Sequence, residues 1–283
     1  MKPIIKYQGG KSKELSIIKT YISNKTERII EPFCGGAAVS FGLEIPSILN
    51  DVNRDVINLY QVVANLELYQ KLQIKVNETK HFEHNDLEKL FYHSRSIINQ
   101  SFDDCDKFER AFSYIIVRQL CFSGMERYNS KGEFNVPFGH YQKFSCNLSL
   151  EHHQYLKTCI IQYGDALDCF NQVKENDFLF IDPPYLDRLG YSAGDGGLKL
   201  HQDLNNKIRE CNNNWLIIHC DDEFYQESYI DFDIKTENFK YSQRWGKNKN
   251  HSKSKVQHLY ISNAPVTLAQ PSTSLPNALE DLL

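Results

Sequence analysis

Short apolar segments alternate with helical stretches at both ends of this chain, and this alternation restricts its fold more than any other feature. The strand-like segments lie at 27–31, 47–50, 158–163, 178–181, 215–220 and 257–261. Helical patterns lie at 11–21 and 55–68. Because strands that alternate with helices form parallel βαβ units, the sequence predicts a doubly wound α/β sheet.

The middle of the chain breaks this alternation. It is largely helical from residue 69 and then becomes a segment with several glycines, which ends near residue 154. The predicted divisions are a sheet domain in two parts at 1–68 and 155–262, an inserted domain at 69–154, and a flexible tail at 263–283 that is rich in Pro, Ser, Thr and Ala.

Composition excludes several classes of protein. A chain of 283 residues with 41% hydrophobic residues can bury a core, and it contains no 18-residue apolar run or signal-peptide core. It is therefore predicted to be soluble and not exported. The eight cysteines show no C-x-x-C spacing, which favours reduced thiols and predicts no metal site. The net charge of −4 argues against coating nucleic acid by bulk attraction but allows a local basic face.

The sequence Asp182-Pro183-Pro184-Tyr185, called the DPPY motif below, follows the apolar segment 178–181. It therefore lies at the carboxyl end of a predicted buried strand, where open α/β sheets bind ligands. The prolines donate no backbone hydrogen bond and fix φ, which leaves a rigid corner of acceptors. The Asp182 carboxylate and the Pro183 carbonyl can accept both hydrogens of an amine on a flat heterocycle while Tyr185 stacks on the ring. A simple turn that closes the strand is the alternative.

The run EPFCGGA at 31–37 follows one predicted strand and precedes a helix. Small residues at a helix N-terminus let a ligand approach the backbone closely. Asp51 comes 16 residues after Gly35, at the end of the next strand, from which an acidic residue can bind ribose hydroxyls. The combination predicts a nucleoside site, and purely structural glycines are the alternative.

The segment 6–12, KYQGGKS, is not a phosphate-binding loop, because Ile5 stands where that motif requires its first glycine. It is interpreted as a flexible glycine elbow. In this interpretation Tyr7 stacks on a ligand, while Lys6 and Lys11 contact a carboxylate or a base.

Two further segments have the chemistry of nucleic-acid contact. In the segment 121–139 the NSKG turn predicts a hairpin, and Arg127 and Asn129 near its tip suit guanine and adenine edges. The segment 240–255 carries six lysines and arginines and no acid, Lys247 and Lys249 among them. It is predicted to be a mobile loop that contacts phosphate. A polar surface hairpin and a solvated loop are the alternatives.

Together, the motifs KYQGGK at 6–11, EPFCGG at 31–36, ND at 50–51, the hairpin at 122–139, GD at 164–165 and DPPY occur in the order found in DNA adenine methyltransferases of the Dam type. The chain resembles this D12 class of alpha-group amino-methyltransferases over about residues 2–262. The resemblance implies a Rossmann-like S-adenosylmethionine-dependent methyltransferase sheet with an inserted, mostly helical target-recognition domain that carries a β-hairpin. It also implies S-adenosyl-L-methionine as cofactor, double-stranded DNA as partner, and methylation of the adenine 6-amino group.

The resemblance also assigns roles to individual residues. The catalytic residues are Asp182, Pro183 and Tyr185. The cofactor-binding residues are Tyr7, Lys11, Glu31, Phe33, Gly35, Asp51, Asp165 and Asp182. The DNA-binding residues are Lys6, Met125, Arg127 and Pro137, to which the chemistry of the two DNA-facing segments adds Asn129, Lys247 and Lys249.

Three positions depart from the family pattern and affect the predicted target. Ala37 replaces a third glycine, Ser123 stands where many GATC-specific members have asparagine, and Glu126 adds an acid near the hairpin tip. Arg127 suits guanine and Met125 a thymine methyl group, which fits GATC. Glu126 instead suits a cytosine amine and a site such as CATG in a restriction-modification system.

The expected mechanism is extraction of the adenine from the duplex and acceptance of its amine hydrogens at the DPPY corner. The protein is expected to be a monomer in the cytoplasm of a bacterial or phage-infected cell. Other substrates for the same corner are a cytosine amine, a ribosomal RNA adenine and a protein amide, and a DNA-binding module without catalysis is a further alternative.

Overall fold

A central seven-stranded sheet organises the computed structural model, which describes residues 1–186, 197–240 and 255–263. Its strands are β1 (Arg28–Glu31), β2 (Ser47–Asp51), β3 (Ile160–Tyr163), β4 (Asp177–Ile181), β5 (Asn214–Cys220), β6 (Asp233–Lys240) and β7 (Lys255–Ser262). Their spatial order is β3-β2-β1-β4-β5-β7-β6. The first five strands are parallel, while β7 runs antiparallel to both β5 and β6. The predicted α/β class is therefore confirmed.

All six predicted strand segments form strands, although β3 begins two residues later than expected. The sequence analysis missed β6. Its sequence, DIKTENFK, is mainly polar, and only one neighbouring strand, β7, pairs with it in the described part of the chain. An edge strand of this kind lacks the apolar run that marks the buried strands.

The described helices are α1 (Leu15–Ile18), α2 (Ala38–Leu43), α3 (Arg54–Ala64), α4 (Leu66–Thr79), α5 (His84–Ile98), α6 (Lys107–Leu120), α7 (Leu150–Leu156), α8 (Leu198–Arg209) and α9 (Glu223–Ser228). Alternate side chains along the strands reach opposite faces of the sheet. On one face Leu179 and Ile217 pack with Leu204 of α8. On the other face Phe178 and Leu216 pack with residues of α1 and α2. The sheet thus has helices on both sides.

Two predicted helices differ from those observed. The helix expected at 11–21 is only α1 followed by a 3₁₀ turn at Lys19–Tyr21, because residues 12–14 form a turn ahead of α1. The helix expected at 55–68 is interrupted at Asn65, which has extended dihedral angles and accepts a hydrogen bond from the Leu68 backbone at 3.1 Å. Asn65 therefore ends α3 and caps α4.

The middle segment packs against the sheet through a shared hydrophobic cluster. This cluster joins Leu49 of β2 to Phe91 of α5 and Ile115 of α6. It also includes Phe138 of the hairpin segment. Burial of these side chains fixes the hairpin segment beside the carboxyl ends of the parallel strands.

The predicted hairpin is confirmed, but its arms pair over a shorter length than continuous strands would. Its arms meet at two isolated antiparallel bridges, Cys121–Phe138 and Tyr128–Phe134, rather than in continuous strands. In the second arm the buried residues Phe134, Val136 and Phe138 alternate with more exposed neighbours. This alternation is the period-2 pattern of an extended segment with one buried face.

None of the helices in the described residues is long and apolar enough to cross a bilayer. All eight cysteines lie within the described ranges, and none of them forms a disulfide there.

Candidate active site

Loops at the carboxyl ends of β1, β2, β3 and β4 surround a cavity of about 410 Å³. The chain leaves β1 towards β2 on one side, whereas β4 lies on its other side, so the cavity lies where the strand order reverses. All ten residues predicted for catalysis or cofactor binding line it: Tyr7, Lys11, Glu31, Phe33, Gly35, Asp51, Asp165, Asp182, Pro183 and Tyr185.

An ion pair between Lys11 and Asp182 joins the glycine elbow to the DPPY motif. The Lys11 ammonium donates to Oδ2 of Asp182 at 2.6 Å and to the Gly9 carbonyl at 2.8 Å. Lys11 is 2% exposed, whereas a fifth of the Asp182 side chain remains accessible. Burial raises the pKa of Asp182, and the neighbouring Lys11 opposes this by favouring the carboxylate. Lys11 therefore helps to keep Asp182 ionised.

Tyr7 lies directly on the glycine loop. A Cβ atom added to Gly35 would lie 2.6 Å from Cε1 of Tyr7, and one added to Gly36 would lie 2.7 Å from its Cβ. Gly35 also has a φ of +45°, a conformation that glycine adopts without strain. The two glycines thus allow the aromatic ring to lie against the backbone.

Ala37 follows these glycines and begins α2 with a φ of 48°. This left-handed conformation is uncommon for a residue with a side chain. Its methyl group is fully buried, so the alanine is accommodated by the surrounding packing. The family's third glycine is therefore replaced here by a residue whose backbone is strained.

Asp51 holds the glycine loop at the end of β2. Its carboxylate accepts from the backbone N–H of Gly35 at 2.8 Å and from that of Asn53 at 2.8 Å. The preceding Asn50 donates to the Pro32 carbonyl at 3.0 Å and to the Gly164 carbonyl at 3.1 Å. Burial raises the pKa of Asp51 to about 6. The ND pair therefore connects the loops after β1 and β3.

Glu31 ends β1 with its carboxylate beneath the cavity. Its Oε1 accepts from the Ser40 backbone N–H at 2.8 Å and also from the Ser40 hydroxyl. Burial raises the pKa of Glu31 to about 7, despite these hydrogen bonds. A cationic ligand beside this buried carboxylic acid would lower its pKa and favour the ionised form.

Asp165 lies in the exposed turn after β3. It accepts a hydrogen bond from the Leu167 backbone at 2.9 Å and so caps the following 3₁₀ turn. The neighbouring Tyr163 also lines the cavity and is 57% exposed. This pair forms the rim of the cavity on the β3 side.

The DNA-facing candidates of the hairpin do not line the cavity but lie beside it. Arg127 is exposed, and its guanidinium donates to the Asn135 side chain at 2.7 Å and to the Asn135 carbonyl at 3.1 Å. Asn129 is instead engaged in the turn. Its amide oxygen accepts from the backbones of Lys131 and Glu133, and its nitrogen donates to the Glu133 carboxylate.

The other candidates lie at the base of the hairpin. Lys6 donates to the Gln119 carbonyl at 2.8 Å and packs on the ring of Tyr141. Met125 is half-buried against the hydrophobic cluster, and Pro137 is exposed. Lys247 and Lys249, with the rest of the basic segment 241–254 that links β6 to β7, lie outside the described residues.

The expectation that Glu126 lies at the tip near base edges is wrong. Its side chain is only 5% exposed and lies 3.3 Å from the guanidinium of Arg118. It also accepts a hydrogen bond from the Tyr128 hydroxyl at 3.0 Å and lines the cavity. The hairpin backbone directs this acid inward because a buried arginine, which the sequence analysis did not consider, lies behind it.

Several cavity residues escaped the sequence analysis. Besides Glu126, these include Val52, Asn53, Tyr163 and Leu200. Tyr163 ends one predicted strand, and Val52 and Asn53 lie within three residues of the end of another, so their position near the sheet edge was a usable signal. Leu200 comes from α8, and nothing local in the sequence indicates that this helix reaches the cavity.

Known proteins resemble most of this chain in sequence. A model of the D12 class N6 adenine-specific DNA methyltransferase family matches residues 7–243. The chain is 32% identical to the Type II methyltransferase M.CviBI of Paramecium bursaria Chlorella virus NC1A over 243 residues, which cover 81% of this chain and 86% of that protein.

Two further relatives come from an archaeon and a bacterium. Type II methyltransferase M.MjaIII of Methanocaldococcus jannaschii is 32% identical over 200 residues, which cover 65% of this chain and 69% of the relative. The DNA adenine methylase of Haemophilus influenzae is 29% identical over 246 residues, which cover 81% and 82%. The chain therefore belongs to the D12 class N6 adenine-specific DNA methyltransferases, a family of enzymes.

Proposed function

We propose that this enzyme transfers a methyl group from S-adenosyl-L-methionine to the 6-amino group of an adenine that is flipped out of a short duplex DNA site. The observation that carries the proposal is the meeting of three separate motifs at one cavity. Tyr7 and Lys11 come from the glycine elbow, Glu31 and Asp51 from the first two strand ends, and Asp182 from the DPPY motif. The cavity volume of about 410 Å³ lies in the range of small-ligand sites.

The lining residues fit the proposed cofactor. Tyr7 lies against the backbone of Gly35 on the cavity wall, where a side chain in place of the glycine would collide with the tyrosine ring. Asp51 can accept from ribose hydroxyls, and Glu31 can pair with a cationic ammonium group. Phe33 supplies an apolar ring, and Asp165 a rim acceptor for an adenine amine. When bound, the cofactor supplies an electrophilic methyl group.

The DPPY corner performs the chemistry on the base. An adenine amine is a poor nucleophile because its lone pair is delocalised into the ring. Asp182 and the Pro183 carbonyl accept its two hydrogens and so draw the nitrogen towards a tetrahedral geometry. With Oδ2 bonded to Lys11, we assign the amine to the other carboxylate oxygen of Asp182. The same carboxylate stabilises the positive charge that develops on the nitrogen, and Tyr185 stacks on the ring.

DNA recognition is assigned to the segment 69–154, and base contact to its hairpin. Arg127 is exposed and carries a guanidinium suited to guanine. Met125 and Pro137 offer apolar contact for a thymine methyl group, and Lys6 lies at the junction of the hairpin with the glycine elbow. To Asn129 we assign the role of holding the turn.

GATC is the site that we propose. Recognition of CATG would require Glu126 to accept from a cytosine amine, whereas the Glu126 carboxylate is buried against Arg118. Because one chain can methylate the two strands of a palindrome in separate events, we propose that the enzyme acts as a monomer. Phosphate contact by Lys247 and Lys249 completes the proposed interface.

The relatives named Type II methyltransferases support a role in a restriction-modification system. In that role the enzyme would protect DNA in the cytoplasm of a bacterial or phage-infected cell. Mapping of methylated adenines in DNA from cells that express the chain would identify the modified site directly.

The proposed function is tested by transfer of a labelled methyl group to a matched set of substrates. These are duplexes that contain GATC, CATG or neither site, together with single-stranded RNA and a protein mixture. We expect label in the GATC duplex and N6-methyladenine in its digest. Label only in CATG would contradict the proposed site, and label only in RNA or protein would contradict the substrate class. DNA binding without any transfer would support the inactive binding module.

A further inference from the structure

A buried chain of hydrogen bonds starts at the tyrosine of the DPPY motif. The Tyr185 hydroxyl lies 3.1 Å from Nε2 of His258 on β7, and Nδ1 of the same ring lies 3.1 Å from Oε2 of Glu14. Glu14 and His258 are 0% and 1% exposed. These hydrogen bonds therefore lead from the cavity wall into the protein interior, where water does not compete for the same groups.

The direction of these hydrogen bonds follows from the chemistry of the groups. An ionised carboxylate can only accept, so the Nδ1–H of His258 donates to Glu14. With its proton on Nδ1, the imidazole presents Nε2 as an acceptor for the Tyr185 hydroxyl. Tyr260 donates to the same oxygen of Glu14 at 2.5 Å. The acid thus fixes both the tautomer and the orientation of the imidazole.

Glu14 remains ionised despite its burial. Burial raises its pKa, but the hydrogen bond from His258 and the charge of Lys11 outweigh this effect and lower the pKa below its usual value. The buried carboxylate therefore remains an acceptor for His258.

A second contact restrains the ring of Tyr185. The ring meets His219 edge to face, with a centroid distance of 4.9 Å and an interplanar angle of 68°. With its hydroxyl at His258 and its ring against His219, Tyr185 is held at two points. Rotation of the ring would break at least one of these contacts.

One turn of the N-terminal segment supports both functional ends of the DPPY motif. Lys11 contacts Asp182 directly, and Glu14 reaches Tyr185 through His258. The Glu14 backbone N–H donates to the Lys11 carbonyl at 2.9 Å, which links the two supports.

We propose that Glu14 and His258 are positioning residues that hold the Tyr185 ring at the angle required to stack on the target base. The inference rests on the proposed function, because it requires that Tyr185 stacks on a flipped adenine. It adds two residues that lie outside the cavity lining and reach the base through the tyrosine hydroxyl.

A matched pair of substitutions at position 258 separates the two contacts of the imidazole. In His258→Gln the amide can lie near the former Nε2 and keep the contact with Tyr185. In His258→Asn the amide can lie near the former Nδ1 and keep only the contact with Glu14. Both variants are made in the full chain and in the Tyr185→Phe background, which lacks the hydroxyl but keeps the ring. Steady-state methylation of duplex DNA and thermal melting are measured for each.

We expect His258→Asn to lower kcat by about tenfold with an unchanged KM for S-adenosylmethionine, and His258→Gln to stay within about threefold of the wild type. In the Tyr185→Phe background the two variants should have equal kcat values. Two results with an active wild type would overturn this inference but not the proposed function. The first is an equal loss of kcat in His258→Asn and His258→Gln when Tyr185 is present. The second is a difference in kcat between these variants that persists in the Tyr185→Phe background. Absence of methyl transfer by the wild type would instead overturn the proposed function, and the inference with it. Melting temperatures separate a loss of folding from a loss of positioning.

Discussion

The ammonium of Lys11 lies 2.6 Å from Oδ2 of Asp182, so the first motif of the chain meets the last one through a buried ion pair. Some 170 residues separate the two side chains in sequence. This contact couples the charge of the proposed catalytic carboxylate to a residue of the glycine elbow. The ionisation of Asp182 is therefore a property of the folded pair rather than of the DPPY motif alone.

Removal of Lys11 should move the pH dependence of the reaction. Burial raises the pKa of Asp182, and Lys11 opposes this rise. In Lys11→Met the opposing charge is lost, so the pKa rises further and less carboxylate is present at neutral pH. We expect kcat to fall at pH 7 and to recover partly as the pH is raised. Lys19→Met, which removes an exposed lysine, is the control. If the fall of kcat at acidic pH occurs at the same pH in Lys11→Met as in the wild type, the coupling is contradicted.

Glu31 should make the ligand-free protein less stable as the pH rises. Its folded-state pKa of about 7 lies above the usual value of 4.5, so the folded state binds the proton more tightly. The stability contribution is present below about pH 4.5 and is lost towards pH 7, by roughly 3 kcal/mol. Asp51, with a pKa of about 6, acts in the same direction. Glu31→Gln should flatten this dependence in thermal melts from pH 5 to pH 8.

The same acid should link the pH to cofactor affinity. A cationic ligand favours the ionised form of Glu31. The affinity for S-adenosylmethionine, measured by calorimetry, should therefore rise between pH 6 and pH 8. A smaller rise is expected in Glu31→Gln. Equal pH dependence in both proteins would show that Glu31 does not contact the cationic group.

Gly36 should tolerate no side chain. A Cβ atom there would lie 2.7 Å from Cβ of Tyr7, an atom that cannot rotate away because it is attached directly to the backbone. Gly36→Ala should destabilise the protein by about 1–3 kcal/mol and weaken cofactor binding. Gly164→Ala is a matched control, since its Cβ would meet only the Asn50 side chain at 3.7 Å. Equal melting temperatures for the two variants would contradict the packing argument.

Much of the site could be predicted because its chemistry is local in sequence. Asp51 and the DPPY motif directly follow apolar runs, and the carboxyl ends of parallel strands meet at one edge of a sheet. The family resemblance then supplied roles that strand patterns alone do not contain.

The remaining features depend on tertiary contacts. Glu126 turns inward because Arg118 is buried behind it, and α6 must be docked before that is apparent. His258 reaches Tyr185 only because β7 inserts antiparallel between β5 and β6. The position of Glu126 in a hairpin does not indicate Arg118 as its partner, and the position of His258 in a strand does not indicate Tyr185.

Arg127 should determine the base read by the hairpin. If it contacts guanine, Arg127→Ala should cost about 1–3 kcal/mol of discrimination at that base pair and leave binding to other sequences less affected. Lys131→Ala, at the exposed tip, should instead weaken all sequences alike. Competition binding with single-base variants of GATC distinguishes the two cases. A uniform loss in Arg127→Ala would make Arg127 a phosphate contact and remove the main support for GATC.

The central claim is that Asp182 activates an adenine amine for methylation, and the most direct measurement compares the wild type with Asp182→Ala. N6-methyladenine in a duplex substrate is quantified by mass spectrometry, while DNA binding and melting are measured on the same samples. We expect methylated adenine from the wild type and none from Asp182→Ala. Because the substitution removes the carboxylate that pairs with the buried Lys11, Asp182→Ala should melt at a lower temperature, but it should still fold and bind DNA at the assay temperature. Normal turnover by Asp182→Ala would contradict the mechanism.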